Sequence, residues 1–77
     1  MAAALQALGE LEVGSFIQLH HWREPLLLYE RLHRLGFTYD TRLGNENSCE
    51  IFIWNVKDEL AASRANRVAA ELPEWQD

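Results

Sequence analysis

The chain is predicted to fold as an α+β two-layer sandwich, in which a three-stranded, mainly antiparallel sheet carries two helices on one face in the order β-α-β-β-α. Two-residue alternation of side chains runs through Phe37–Leu43 and resumes in Ser48–Asn55, as in strands. Apolar residues at three- and four-residue spacing follow Pro25 and Asn55, as in amphipathic helices. The 77 residues, of which 48% are apolar, suit a single domain over residues 1–77.

The N-terminal segment is predicted as an optional short helix over Ala2–Glu12, because its leucines share one side of a helical wheel. Gly9 weakens such a helix by about 1 kcal/mol relative to alanine. Residues 1–14 are therefore expected to be a flexible segment or a helix docked on the domain. A competing interpretation extends the next strand backwards through Val13.

The first strand is predicted at Ser15–Trp22, where Ile17 and Leu19 alternate with polar or aromatic residues. Ser15 followed by Gln18 also fits a capping box at a helix start. The β propensity of Phe16 and Ile17 favours the strand.

The clearest helix follows Pro25, which suits a first helical turn because its missing N–H costs nothing there. Leu28, Leu32 and Leu35 form one apolar stripe. Gly36 is expected to end this helix as a left-handed cap.

A β-hairpin is predicted to follow, with Gly44–Asn47 reversing the chain between the two strands. On the return strand, Cys49, Ile51 and Ile53 share one face with the inner residues of the other strands. Glu50, Phe52 and Trp54 share the opposite face.

The last helix is predicted to begin at an N-cap, Asn55, and to present a narrow stripe of small side chains that includes Ala61 and Ala65. Pro73 is expected to stop the helix and Trp75 to fold back as an anchor for the C-terminus.

A right-handed crossover between the first two strands leaves room for the third strand between them, so the predicted spatial order is first, third, second. This order resembles the ferredoxin-like arrangement without its last strand. The first strand would then be an unprotected edge. The predicted inner face consists of Ile17, Leu19, Phe37, Tyr39, Cys49, Ile51 and Ile53.

With both helices on one side, the opposite face of the sheet would expose a patch of large aromatic side chains, which a soluble monomer seldom leaves bare. One interpretation is that the N-terminal helix covers this patch. The other is that the patch and the edge strand bind a protein partner or a second copy, since aromatic residues and arginine anchor such surfaces. The residues predicted to bind the partner are Phe16, His20, Arg42, Glu50, Phe52 and Trp54.

Nucleic acid is a third possible ligand. Aromatic residues on the first and third strands resemble those of the RNA-recognition motif, which implies base stacking. The glycine-flanked basic-aromatic octapeptide of that family is absent, however. Twelve acidic residues against seven basic ones give a net charge of −5, which opposes binding to phosphates.

The sequence therefore predicts a non-enzymatic interaction module, an adaptor or a stoichiometric inhibitor. The alternative is a small enzyme or ligand-binding domain whose site is completed at a dimer interface. For acid–base catalysis, the candidate groups are Asp40, Glu50 and His20 on the open face of the sheet. No phosphate-binding loop, nucleophile elbow or metal-ligand spacing occurs, so no cofactor and no metal are expected.

The compartment is predicted from the single cysteine, Cys49, which cannot form an internal disulfide. Residues 1–8 lack a basic region, and their apolar run is too short for a signal peptide or a membrane span. We expect a cytoplasmic protein with no membrane partner.

Overall fold

The computed structural model of the protein describes residues 2–72, with side-chain environments for residues 6–46 and 48–72. The predicted Pro73 stop and Trp75 anchor lie outside the described residues. Within them, a short 3₁₀ turn at Asn45–Asn47 joins the hairpin strands. The other elements, in chain order, are α1 (Ala2–Gly9), β1 (Ile17–His21), α2 (Leu26–Leu35), β2 (Phe37–Leu43), β3 (Cys49–Asn55) and α3 (Glu59–Glu71).

The three strands form one sheet in the order β1-β3-β2, with β3 antiparallel to both neighbours. Glu50 of β3 lies opposite His20 of β1 and Arg42 of β2. The predicted α+β class and strand order are confirmed.

Local signals define both ends of α2. Pro25 occupies its N-cap position, and Gly36 ends it with a left-handed φ of +85°. The Gly36 N–H donates to the carbonyl of His33 at 3.3 Å, which satisfies one of the last carbonyls of the helix. The predicted glycine cap is confirmed.

The start of α3 differs from the prediction. Its N-cap is Asp58, whose Oδ1 accepts a hydrogen bond from the backbone N–H of Ala61 at 3.0 Å. Asn55, the predicted cap, instead accepts a hydrogen bond from the N–H of Lys57 at 2.9 Å and so turns the chain before the helix begins.

The two faces of the sheet are covered by different helices. On one face, Ile51 and Ile53 pack with Leu28 and Leu32 of α2 and with Leu8 of α1. All the residues of the predicted inner face lie on this side of the sheet. Six of the seven pack in this cluster, whereas Tyr39 is partly exposed.

The opposite face of the sheet is covered by α3, since Phe52 and Trp54 pack against Ala61 and Ala65. The expected placement of both long helices on one face is therefore wrong, and the sheet is the middle of three layers. The reason is the large apolar area of the two aromatic rings, whose burial is favourable. The small side chains of α3 let the helix approach these rings closely.

The segment between α1 and β1 is attached to α3. The Gly14 N–H donates to Asp58 Oδ2 at 2.7 Å, and Arg64 Nη1 donates to the Gly14 carbonyl at 3.1 Å. Gly14 has a φ of +82°, and a Cβ at this position would lie 2.9 Å from Cδ2 of Leu60. These contacts, together with the buried Leu8, make the N-terminal segment part of the fold.

Candidate functional site

A buried carboxylate joins all three strands on the α3 side of the sheet. Gln18 Nε2 donates to Glu50 Oε2 at 2.6 Å, and His20 Nε2 lies 2.9 Å from the same oxygen. Arg42 Nη1 donates to Glu50 Oε1 at 2.8 Å from the other side. The register explains this cluster, because β1 and β2 each place a donor opposite Glu50.

The environment of Glu50 keeps it ionised. Burial by itself raises the pKa of this carboxyl, but the hydrogen bonds from Gln18 and His20 and the charge of Arg42 outweigh burial and hold the pKa below its ordinary value of 4.5. Because both oxygens already accept hydrogen bonds, the carboxylate is a poor proton donor at neutral pH. Its clearest role is to tie the three strands together.

Three of the six predicted contact residues, Phe52, Trp54 and Glu50, are buried rather than displayed on an open face. Phe52 is 0% exposed and Trp54 is 8% exposed, because α3 covers both rings. Phe16 is half-buried, with its ring centroid 5.9 Å from that of Phe52. The predicted open aromatic surface is therefore wrong. The other interpretation, in which the N-terminal helix covers these rings, is also wrong, because that helix packs on the opposite face of the sheet.

Glu50 and the other two predicted contact residues, His20 and Arg42, meet in the carboxylate cluster described above. The His20 side chain is about half exposed, whereas the Arg42 side chain is mostly covered and that of Glu50 is buried. Asp40, one of the predicted acid–base groups, is exposed on the same face of β2. No described contact joins Asp40 to Glu50.

The outer edge of β2, the side away from β3, is defined by the hydrogen bonds that flank the strand. Val56 N–H donates to the Gly36 carbonyl at 3.0 Å, and Gly44 N–H donates to the Ser48 carbonyl at 2.8 Å. Inward bonds alternate along an antiparallel pair, so even-numbered residues of β2 bond to β3. The N–H and C=O groups of Tyr39, Thr41 and Leu43 therefore point outward, and within residues 2–72 no strand lies beyond them.

The side chains along the outer edge of β2 combine apolar and charged groups. Leu43 is 62% exposed and Tyr39 is 38% exposed on the α2 side, whereas Asp40 is exposed on the α3 side. Tyr29 of α2 holds the strand from behind: its ring stacks on Tyr39 with centroids 4.0 Å apart, and its hydroxyl lies 2.6 Å from Thr41 Oγ1.

The outer edge of β1 is shorter and more polar. The same alternation places the backbone groups of Gln18 and His20 on that edge, within a strand of five residues. Sequence reasoning named the first strand as the unprotected edge and overlooked β2. The strand order first, third, second already made both outer strands edges, so that signal was present.

A surface groove of about 670 Å³ lies where α1 and the loop after it meet the start of α3. Leu8, Leu11 and Phe37 line its apolar part, and Lys57 and Asp58 its polar part. The Asp58 carboxylate is already bonded to the N–H groups of Gly14 and Ala61, and these bonds hold its pKa below the ordinary value. This carboxylate therefore acts mainly as a structural cap.

The single thiol is not activated for chemistry, and the described side chains form no metal cluster. Cys49 is a buried thiol whose pKa is raised, first by burial and then by the charge of Glu24. Among the described side chains, no group of three or more His, Cys, Asp or Glu residues is arranged to hold a metal ion. Over residues 2–72, no helix has both the length and the apolar character that a membrane span requires.

Comparison with known proteins found no matching family model, no matching curated protein and no matching solved structure.

Proposed function

We propose that the chain is a small non-enzymatic protein-interaction module, an adaptor or stoichiometric inhibitor, that binds an extended strand of a protein partner along the outer edge of β2. The observation that carries this proposal is the alternation of backbone hydrogen bonds, which directs the polar groups of Tyr39, Thr41 and Leu43 away from the sheet. A partner strand would complete these bonds by β-strand addition.

The side chains at this edge suit a protein ligand. Exposed apolar atoms of Tyr39 and Leu43 give a partner strand an apolar contact, and the charge of Asp40 selects its register. The stacking of Tyr29 on Tyr39 lowers the entropy cost of binding, since it orders one of the contact side chains beforehand.

Two further observations favour binding over the other function classes. The ionised Glu50 has both oxygens occupied by donors, which argues against a general acid at this place. The rings of Phe52 and Trp54 are covered by α3 and so cannot stack on bases, and the net charge of −5 repels phosphates. A reducing compartment such as the cytoplasm suits the buried free thiol of Cys49.

Site-specific photocrosslinking tests the proposal in cells of the source organism. A benzoylphenylalanine in place of Tyr39, which keeps an aromatic ring there and leaves the charge of Asp40 intact, is expected to form covalent adducts with protein, and Leu43→Pro in the same chain is expected to abolish them. The same probe at the exposed position of Val13, outside the sheet, is the matched control. Equal adduct yields at positions 39 and 13, or yields that Leu43→Pro leaves unchanged, would contradict the proposal.

A further inference from the structure

We propose that the partner strand is β2 of a second copy of this chain, paired antiparallel so that Thr41 lies opposite Thr41 of the second copy. This inference rests on the proposed function of the outer edge of β2 and names its partner. It follows from the self-complementary order of side chains on either side of Thr41.

The outward backbone groups limit the possible registers. Because Tyr39, Thr41 and Leu43 carry those groups, an antiparallel pair must join odd-numbered residues to odd-numbered residues. Such a pair is centred on residue 39, 40, 41 or 42. Each centre places different charges opposite each other, so the charges select among the four.

Three of these registers are poor. Centring on Asp40 places two carboxylates directly opposite each other, and centring on Arg42 does the same with two guanidinium groups. Centring on Tyr39 forms no charge pair and leaves Leu43 outside the paired segment. Only the Thr41 centre places Asp40 of each copy opposite Arg42 of the other.

The Arg42 side chain can take part in such a pair without leaving Glu50. Nη1 of Arg42 donates to Glu50 within the chain. A guanidinium carries five N–H donors in a planar fork, so the same group can also bind a second carboxylate. The Asp40 carboxylate lies on the same face of the sheet and is exposed.

The apolar side chains match in the same register. Tyr39 of each copy comes to lie opposite Leu43 of the other. Leu43 is the most exposed apolar side chain of β2, and the pairing covers it in both copies. Tyr29 of α2 packs over Tyr39. The exposed Leu26 lies on the same flank of the helical wheel as Tyr29, so we expect it on the β2 side of α2. These residues would flank the paired strands on the α2 side.

The pairing closes on itself. A two-fold axis perpendicular to the sheet passes between the two Thr41 residues, so each copy uses the same surface and no open chain of copies forms. The product is a continuous six-stranded sheet with both α2 helices on one face and both α3 helices on the other. It also protects the longer of the two edge strands of the sheet that residues 2–72 form.

Sedimentation of the purified full chain tests the self-pairing. The chain has a mass of 8.9 kDa, and we expect a concentration-dependent species of twice that mass. Leu43→Pro removes an outward N–H and no inward bond, so it is expected to give a monomer with an unchanged far-UV spectrum. Asp40→Arg is expected to raise the dissociation constant at least tenfold. Glu10→Arg changes the net charge equally in the exposed turn after α1 and is expected to leave the dissociation constant unchanged.

Disulfide trapping tests the register. Thr41→Cys is expected to oxidise to a covalent dimer, because directly opposite residues of an antiparallel pair lie about 5.5 Å or less apart at Cα. Tyr39→Cys is expected to remain largely uncrosslinked, since residue 39 lies opposite residue 43. The native Cys49 is buried and stays out of reach in the folded chain. Crosslinking at position 39 in place of position 41 would overturn the register.

The results separate this inference from the proposed function. A chain that stays monomeric at every concentration, or a dimer that neither Leu43→Pro nor Asp40→Arg weakens, overturns the self-pairing. If photocrosslinking at position 39 then gives adducts with a different protein, the edge still binds but not to itself. If it gives no adduct, both proposals fail. Adducts of twice the chain mass support both.

Discussion

Truncation of the buried phenylalanine on β3 tests the three-layer arrangement most sharply. Phe52 is 0% exposed between the sheet and α3, with Phe16 beside it, so Phe52→Ala leaves a cavity that the rigid strand cannot close. Truncations of this kind cost about 3–5 kcal/mol. A domain of 77 residues has a total stability of about 4–12 kcal/mol, so the variant is expected to lose a quarter or more of it.

Urea unfolding followed by far-UV circular dichroism measures this loss as a change in the free energy of unfolding. Leu27→Ala is the matched control, because Leu27 is 84% exposed and its truncation is expected to change that free energy by less than about 0.5 kcal/mol. If Phe52→Ala were as mild as the control, the ring would lie on an open face, and the assignment of α3 to that face would be refuted.

Three other perturbations address separate parts of the fold. Gly14→Ala is expected to lower the free energy of unfolding by about 1–3 kcal/mol, because the residue has a positive φ and its Cβ would meet Leu60. Gly9 has open space around it, so Gly9→Ala is the control and is not expected to destabilise the chain. Glu50 has a folded pKa below its ordinary value, so its contribution is present above pH 4.5 and is lost as the pH falls through the folded pKa. Glu50→Gln is therefore expected to flatten the acid limb of a plot of unfolding free energy against pH. Cys49 is expected to react with a thiol reagent only as fast as the domain opens, since burial raises the pKa of its thiol.

Each of these perturbations has an outcome that contradicts the structural explanation. Equal melting temperatures for Gly14→Ala and Gly9→Ala would mean that the loop does not approach α3. An acid limb as steep in Glu50→Gln as in the parent chain would mean that this carboxylate is not held by Gln18 and Arg42. Rapid labelling of Cys49 in the absence of denaturant would place its thiol outside the core.

Local signals in the sequence predicted the elements well. Phe37–Leu43 matches β2 at both ends, and Pro25 and Gly36 mark α2 as expected. These features depend on the chemistry of neighbouring residues. A strand alternates because its faces differ, and a left-handed helix cap favours glycine wherever the helix lies in the fold.

The face that α3 covers was harder to predict, because the short link between Asn55 and Glu59 can deliver a helix to either side of the sheet. A signal was nevertheless present. The apolar run Ile51–Trp54 is unbroken, and such runs are typical of strands that are buried on both faces. The two-residue alternation of this strand, taken alone, predicts that Phe52 and Trp54 lie on an open surface.

The predicted strand order already made β2 an edge, but which of its backbone groups point outward could not be derived from side-chain patterns. Alternation indicates the face on which each side chain lies, but not the direction in which each backbone N–H points. That direction depends on the pairing register, which the Gly44–Ser48 bond shows at one end of the hairpin and the Val56–Gly36 bond at the other. The Glu50 cluster depends on the same register.

The most direct test of the account is residue-resolved amide hydrogen exchange of the full chain at low and high protein concentration. In dilute solution, we expect slow exchange at the inward N–H groups of Asp40 and Arg42 and fast exchange at the outward groups of Tyr39, Thr41 and Leu43. At high concentration, the outward groups should become protected. Uniformly slow exchange along β2 in dilute solution, or outward groups that stay unprotected at every concentration while a dimer forms, would contradict the account.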